Sequence, residues 1–217
     1  MSQDKSNRSP IGDAPAMLRR KPMQQRSRDR VERMLSAAVQ LIERDGSDAL
    51  RMNDLAEIAG VSIGSLYQYF PDKAAIVRSL AERSNREGRA CIEGALAPVR
   101  TDAQFRAAFA RLIDIYYGIF LDRPVMRDIW SATQADARLR AFELTESRAN
   151  GAIVADTLAR LRPDADRARL ETAAFFVMSL GEATMRLAIS VDRKEGADLV
   201  EIYKRMALDA LQAALDE

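Results

Sequence analysis

Between residues 51 and 73 the chain concentrates side chains suited to hydrogen bonding rather than to bond breaking. It has hydroxyls on Ser62, Ser65, Tyr67 and Tyr69, carboxamides on Asn53 and Gln68, and cations on Arg51 and Lys73. A hydroxyl or a backbone N–H holds a phosphate oxygen, and a carboxamide can make a two-point contact with adenine. Ile63 offers an apolar surface of the kind that packs on a thymine methyl, and Gly64 has no side chain to keep its backbone away from a partner.

Acid–base and nucleophilic chemistry of the commonest kinds is closed to this chain. It has no histidine and one cysteine, Cys91. That excludes a Ser-His-Asp arrangement, a Cys/His zinc site and a disulfide within one chain. Cys91 itself reads as a small packed or half-exposed thiol, with redox sensing as the alternative. No phosphate loop or nucleotide motif is visible, and no cofactor is expected.

The elements that must position residues 51–73 are short. Met52, Leu55, Ile58 and Ala59 recur at helical spacing, and Gly60 follows where a left-handed turn suits glycine. Val61 reads as a buried plug, Ser62 as the cap of a second helix running to Phe70, and Leu66 and Phe70 as its inward face. Two short helices joined by a glycine turn form a helix-turn-helix, whose second helix enters the DNA major groove.

Upstream, Val31, Met34, Leu35, Ala38, Leu41 and Ile42 give one amphipathic helix over 24–44, stopped by Asp45-Gly46. Residues 1–22 are polar and without period, and read as a mobile basic arm. From 19 to 33 there are seven basic and two acidic residues, a local +5 against +1 for all 217 residues, which leaves the rest at −4. This asymmetry fits a basic end that meets a polyanion, or equally a solvated helix face.

Downstream, Asp72 caps a helix from Lys73 to about Ala97, and further helices are expected over 101–121, 135–161, 164–191 and 199–215, with a short segment at 125–131. Residues 192–196 read as a polar turn. With 47% apolar and 30% charged residues and no strand-like alternation, the chain is expected to be all-α. No apolar run approaches the ~20 residues of a membrane span, and the polar N-terminus lacks a signal region, so a cytoplasmic location is expected. The last two helices have broad apolar faces that suit either an intramolecular core or a homodimer built as a four-helix bundle.

Leu55-Ala56, Ala59-Gly60-Val61-Ser62, Gly64-Ser65-Leu66-Tyr67, Tyr69-Phe70 and Lys73 together resemble the N-terminal signature of the TetR family of transcriptional regulators, and the likeness extends back over Val31–Gly46. It covers about fifty residues; beyond about Leu80 it is architectural. The resemblance implies a three-helix DNA-binding head over 23–72 and a larger helical effector-binding and dimerisation domain over 73–217. It implies a homodimer on a palindromic operator, mostly as a repressor that a small molecule releases. Lys73 would be the family's phosphate-binding lysine. The sequence departs from the family pattern at Arg51, where a Ser or Thr cap is usual, and at Ile63, where a polar or basic residue is common.

For the effector, Tyr116, Tyr117, Phe120, Met126, Trp130, Phe142, Phe175, Phe176 and Met178 supply aromatic and thioether surface, as ligand sites or as ordinary core. Glu182 and Arg186 lie one turn apart on an otherwise apolar helix, either as the polar groups of a pocket or as an i, i+4 pair. Two alternatives stay open. One is a DNA-binding activator or architectural protein without a ligand. The other is a helical enzyme, for which Arg127, Asp128, Glu182 and Arg186 would be the candidates.

Overall fold

The computed structural model describes residues 17–123, 125–127, 129 and 137–216, with side chains from 25 onward except at 137–139. The arm at 1–16, Asp128 and Trp130 lie outside the described residues.

Helix α1 (Met17–Asp45) starts seven residues before the expected Gln24 and inside the arm expected at 1–22. Met, Leu, Arg and Lys are good helix formers, and Pro22 removes one early backbone bond without ending the helix. Its apolar stripe is closely packed: Met34, Leu35, Ala38, Leu41 and Ile42 are all buried. Helix α2 (Met52–Ala59) ends at Gly60, whose φ of 65° and ψ of 40° let its N–H reach the carbonyls of Ala56 and Glu57. That left-handed conformation is strained for any residue with a Cβ. Helix α3 (Ile63–Tyr69) starts from Ser62, whose Oγ accepts from the Ser65 N–H at 3.2 Å. Leu55, Ala56, Leu66 and Phe70 close the core over α1. Ile58, expected on the inward face, is 43% exposed, because the eight-residue helix turns only Leu55, Ala56 and Ala59 to α1. Val61 packs against this core but is only partly buried.

Helix α4 (Lys73–Leu96) is capped by Asp72, which accepts from the Ala75 N–H at 2.8 Å. Its first turns bury Ile76, Val77, Leu80 and Ala81 in the same core, and its last turn buries Leu96 in a second one. Packing therefore runs across the 72–73 division drawn from the sequence. Helix α5 (Asp102–Asp122) follows the cap Thr101 and buries Phe105, Phe109, Ile113, Tyr117 and Phe120 along one stripe. A short helical stretch at 125–127 returns to the head: Val125 and Ile129 are part of the first core, and Met126 packs on both.

Helices α6 (Ala137–Leu161), α7 (Arg167–Ala188) and α8 (Arg193–Asp216) complete the second core, with α7 packed between α6 and α8. The turn expected at 192–196 is instead the first turn of α8, because Asp192 accepts from the N–H groups of Lys194 and Glu195 and so starts the helix early. Gly196 lies buried in that turn. A Cβ there would sit 2.2 Å from the Ala188 carbonyl oxygen and 2.6 Å from the Tyr117 hydroxyl, so the residue is needed for close approach rather than for turning. Tyr203 of α8 donates from its hydroxyl to the Val177 carbonyl of α7 at 2.8 Å.

Candidate nucleic-acid interface and ligand cavity

Burying Leu66 and Phe70 leaves the opposite side of α3 facing outward. Ile63 is 39% and Tyr67 49% exposed, and Gly64 and Gln68 are exposed beside them. These four fall at i, i+1, i+4 and i+5 and form one face. Asn53 on α2 and Arg51 just before it are exposed too. Arg51 stands in the cap position of α2 and makes no side-chain cap bond, so the missing Ser or Thr is not replaced in that role. Space is open around Gly64: an added Cβ would meet nothing within 4 Å.

Other residues grouped with these by sequence are already engaged. Ser62 is spent on the α3 cap, and Ser65 is half-buried behind it. The Tyr69 hydroxyl lies 3.2 Å from Ser27 Oγ on α1, turned away from the face that carries Tyr67. Lys73 Nζ donates to the Asp48 carbonyl at 3.2 Å and lies 3.7 Å from the Asp48 carboxylate. Lys73 thus ties the start of α4 to the loop before α2 while keeping about a third of its side chain exposed. Arg26, Arg28, Arg30 and Arg33 of α1 all point to solvent.

The second site is a cavity of about 250 Å³ among α4, α5, α6 and α7, with Met126 and Ile129 at one end. Each helix contributes one stripe. Helix α4 gives Ser84, Asn85, Gly88, Cys91 and Ile92, and α5 gives Phe109, Leu112, Ile113, Tyr116 and Phe120. Helix α6 gives Glu143, Glu146, Asn150 and Val154, while α7 gives Met178, Gly181, Glu182 and Met185. Cys91 is exposed at the rim. The Glu182 carboxylate accepts from Ser147 Oγ at 2.6 Å. Burial pushes its pKa up to about 7, with Glu143 adding to the rise while Ser147 and Arg186 oppose it. Burial likewise raises the Tyr116 and Tyr203 hydroxyls, with the Glu182 charge adding to each. Glu146 is paired with Arg89 of α4. The Asn150 Oδ1 atom is buried without a hydrogen-bond partner.

Of the residues expected to form a pocket, Tyr116, Phe120, Met126, Met178 and Glu182 line this cavity. Tyr117, Phe142 and Phe175 do not. Tyr117 falls one residue round α5 and faces α8 at Gly196. Phe142 packs against the first core, 5.9 Å beneath the Arg78 guanidinium, and the Phe175 ring lies 3.9 Å beneath that of Arg148. Phe176 is 56% exposed.

A family model for bacterial regulatory proteins of the tetR family matches residues 34–80, and one for the tetracyclin repressor-like C-terminal domain matches residues 103–215. The chain belongs to the TetR family. It is 30% identical over 108 residues to the HTH-type transcriptional repressor KstR of Mycobacterium tuberculosis, covering 44% of this chain and 49% of that one. It is 30% identical over 96 residues to the HTH-type transcriptional regulator EthR of Mycolicibacterium smegmatis, covering 44% and 43%. The chain thus spans about half the length of these relatives. A TetR-family regulator from Streptomyces coelicolor has the same fold, with a TM-score of 0.64 at 22% identity over 86% of this chain and 99% of that one.

In this TetR-family chain the polar lining of the cavity was the part that sequence reasoning missed. Glu143, Glu146, Ser147 and Asn150 occupy one side of α6 together with Val154, at helical spacing. Polar residues on the inward stripe of an amphipathic helix were the available signal, because burying them costs energy unless they have partners.

Proposed function

We propose that the chain is a homodimeric repressor that binds a palindromic operator through α3 and is released by a small molecule in the cavity among α4, α5, α6 and α7. The observation that carries the reading is the outward face of α3. Its exposed Ile63, Gly64, Tyr67 and Gln68 are held by a helix whose other side is fully packed. Gln68 is the side chain there able to read adenine in two points, and Ile63 can meet a thymine methyl. Tyr67, Asn53, Arg51 and the exposed part of Lys73 would hold phosphates, with Ser62 offering its backbone N–H at the start of α3. The arginines of α1 add long-range attraction.

Dimerisation is supported by exposed apolar side chains on α7 and α8: Phe176, Leu187, Ile202 and Met206. Contiguous apolar surface on the two closing helices is what an isologous bundle would bury. Half-sites would then be read roughly one helical turn, ~34–36 Å, apart or somewhat farther. Release is supported by α4, whose first turns stand in the head core and whose middle lines the cavity. A ligand that prefers one setting of α4 shifts the separation of the heads. Among the described residues no helix is long and apolar enough to cross a membrane.

The test is a gel shift against DNA upstream of the protein's own gene. A salt-sensitive, sequence-specific complex is expected. Substituting Tyr67→Ala and Lys73→Ala together should abolish it while gel filtration shows an unchanged dimer. A complex that survives the double substitution would refute the contact assignment, and no specific complex on that region would count against the repressor reading.

A further inference from the structure

The charge of the cavity selects what can enter it. Its lining includes four glutamates, Glu87, Glu143, Glu146 and Glu182, against one arginine, Arg123. Glu146 is neutralised by Arg89, Glu87 lies 3.4 Å from Arg83, and Glu143 has a partner of its own. Arg186 stands near Glu182 on the same helix, so Glu182 is the carboxylate on which the selection turns. Hydroxyls of Tyr116 and Ser84 and the Asn85 amide also line the space and can donate, but two buried acceptors of the wall have capacity to spare. Glu182 takes one hydrogen bond, from Ser147, although a carboxylate can accept several. One turn along α6 from Ser147, the Asn150 Oδ1 atom is buried with no donor. Phe109, Ile113 and Phe120 of α5, with Met178 one turn before Glu182 on α7, give the ligand an apolar surface to lie on.

We propose that this cavity takes a lipophilic amine, with its apolar body on Phe109, Ile113, Phe120 and Met178 and its ammonium N–H groups donated to the Glu182 carboxylate and the Asn150 amide oxygen. An orphaned buried acceptor is costly until a donor arrives, and a carboxylate in an apolar wall is costly until a cation does. One ammonium group satisfies both. A fatty acid or a phosphate ester would bring a second negative charge to the same place. A neutral alcohol supplies one donor and no charge. The cavity, at about 250 Å³, falls just below the ~300–1,000 Å³ usual for small-molecule sites, which fits a single chain or a small ring system.

This assignment rests on the reading of the cavity as the site of the releasing ligand. Its test compares three ten-carbon probes on the full-length protein by titration calorimetry, below their micellar limits: decylamine, decan-1-ol and decanoate. Decylamine should bind tightest and decanoate weakest. Glu182→Gln keeps the side-chain shape and should weaken decylamine by ~10–100-fold, the value of a charge-assisted bond, with decan-1-ol unchanged. If circular dichroism shows that variant misfolded, Asn150→Ala carries the same comparison and should weaken decylamine by ~5–10-fold. Decan-1-ol or decanoate matching decylamine, no binding by any probe, or amine affinity indifferent to the substitutions would overturn the proposal. The same probes added to the operator complex separate the two readings. Release by decan-1-ol or decanoate but not by decylamine refutes the amine class and leaves the release mechanism standing. Binding of decylamine without release upholds the class and refutes the mechanism.

Discussion

Replacing Glu182 by glutamine should remove a pH dependence from the stability of this protein, and the size of the effect follows from the site. The Glu182 carboxyl titrates near 7 in the fold against 4.5 in a solvated chain, because burial in the cavity wall disfavours its charged form. Between those two values the unfolded chain gives up this proton and the folded chain keeps it. The folded state then binds more protons, so stability falls as pH rises through the window. Below 4.5 both states hold the proton and nothing is lost. Above about 7 the loss is complete, and a shift of about 2.5 at 1.36 kcal/mol each makes it about 3 kcal/mol. Glutamine cannot ionise, and it can still accept from Ser147. The difference in stability between the variant and the native protein should therefore swing by about 3 kcal/mol in favour of the variant between pH 4.5 and pH 8. In urea melts, with a slope of ~2–3 kcal/mol per molar, the relative midpoints should move by roughly 1–1.5 M.

The groups around Glu182 are Glu143 and Glu146 on α6, Glu87 and Arg89 on α4, Tyr116 on α5 and Arg123 just after it, Arg186 on its own helix and Tyr203 on α8. Their own titrations are present in both proteins and cancel to first order in the difference. The assay is urea denaturation followed by circular dichroism at one fixed protein concentration, since an oligomer's stability depends on concentration. A difference that stays constant within about 0.5 kcal/mol from pH 5 to pH 8 would refute the argument, because a solvated Glu182 titrates alike in both states.

Other substitutions separate folding from function. Gly64→Ala fills open space in α3, so the melting temperature should hold or rise slightly while operator affinity falls at least ~10-fold in a gel shift; unchanged affinity would deny a close backbone approach. Gly60→Ala should behave oppositely, costing about 1–2 kcal/mol in a denaturant melt, because its φ of 65° is the left-handed conformation. Phe176→Asp with Met206→Asp puts charges on the exposed apolar face of α7 and α8 and should give monomers in sedimentation velocity; an intact dimer would place the interface elsewhere.

The head was largely legible because its determinants are local. Gly60 follows a helix too short to continue, Ser62 caps the next, and Leu66 and Phe70 mark a single buried face, so periodicity and caps were enough. Where that logic stretched, it failed for a physical reason. Ile58 shares the helical spacing of Leu55 yet lies outward, since spacing gives a face but not its width. For Tyr69 and Lys73 the chemistry to hold phosphates was legible, while the further contacts of their side chains with Ser27 and Asp48 were not, because those partners lie far away in sequence. In the larger region the helices were legible and their faces were not. Tyr116 and Tyr117 are adjacent, and only the packing of α5 against α7 and α8 decides that the first meets the cavity and the second meets Gly196. Gly196 itself read as a turn, although its work is to let two backbones approach.

The same packing indicates how the cavity can be connected to the head. Two routes leave it. One is α4, continuous from the head core at Ile76 and Leu80 to the lining at Ser84, Gly88 and Ile92. The other is the stretch after α5, where Val125 and Ile129 are buried in the head core while Met126 lines the cavity and rests 3.8 Å from Ser84 Oγ. A ligand that displaces Met126 would push on the head core through residues one before and three after it, while also pressing on α4 through Ser84. Close-packed cores do not absorb such a push gradually; they hold one arrangement or change to another. Two rigid routes that meet at one methionine therefore favour a two-state response of the heads over a graded one.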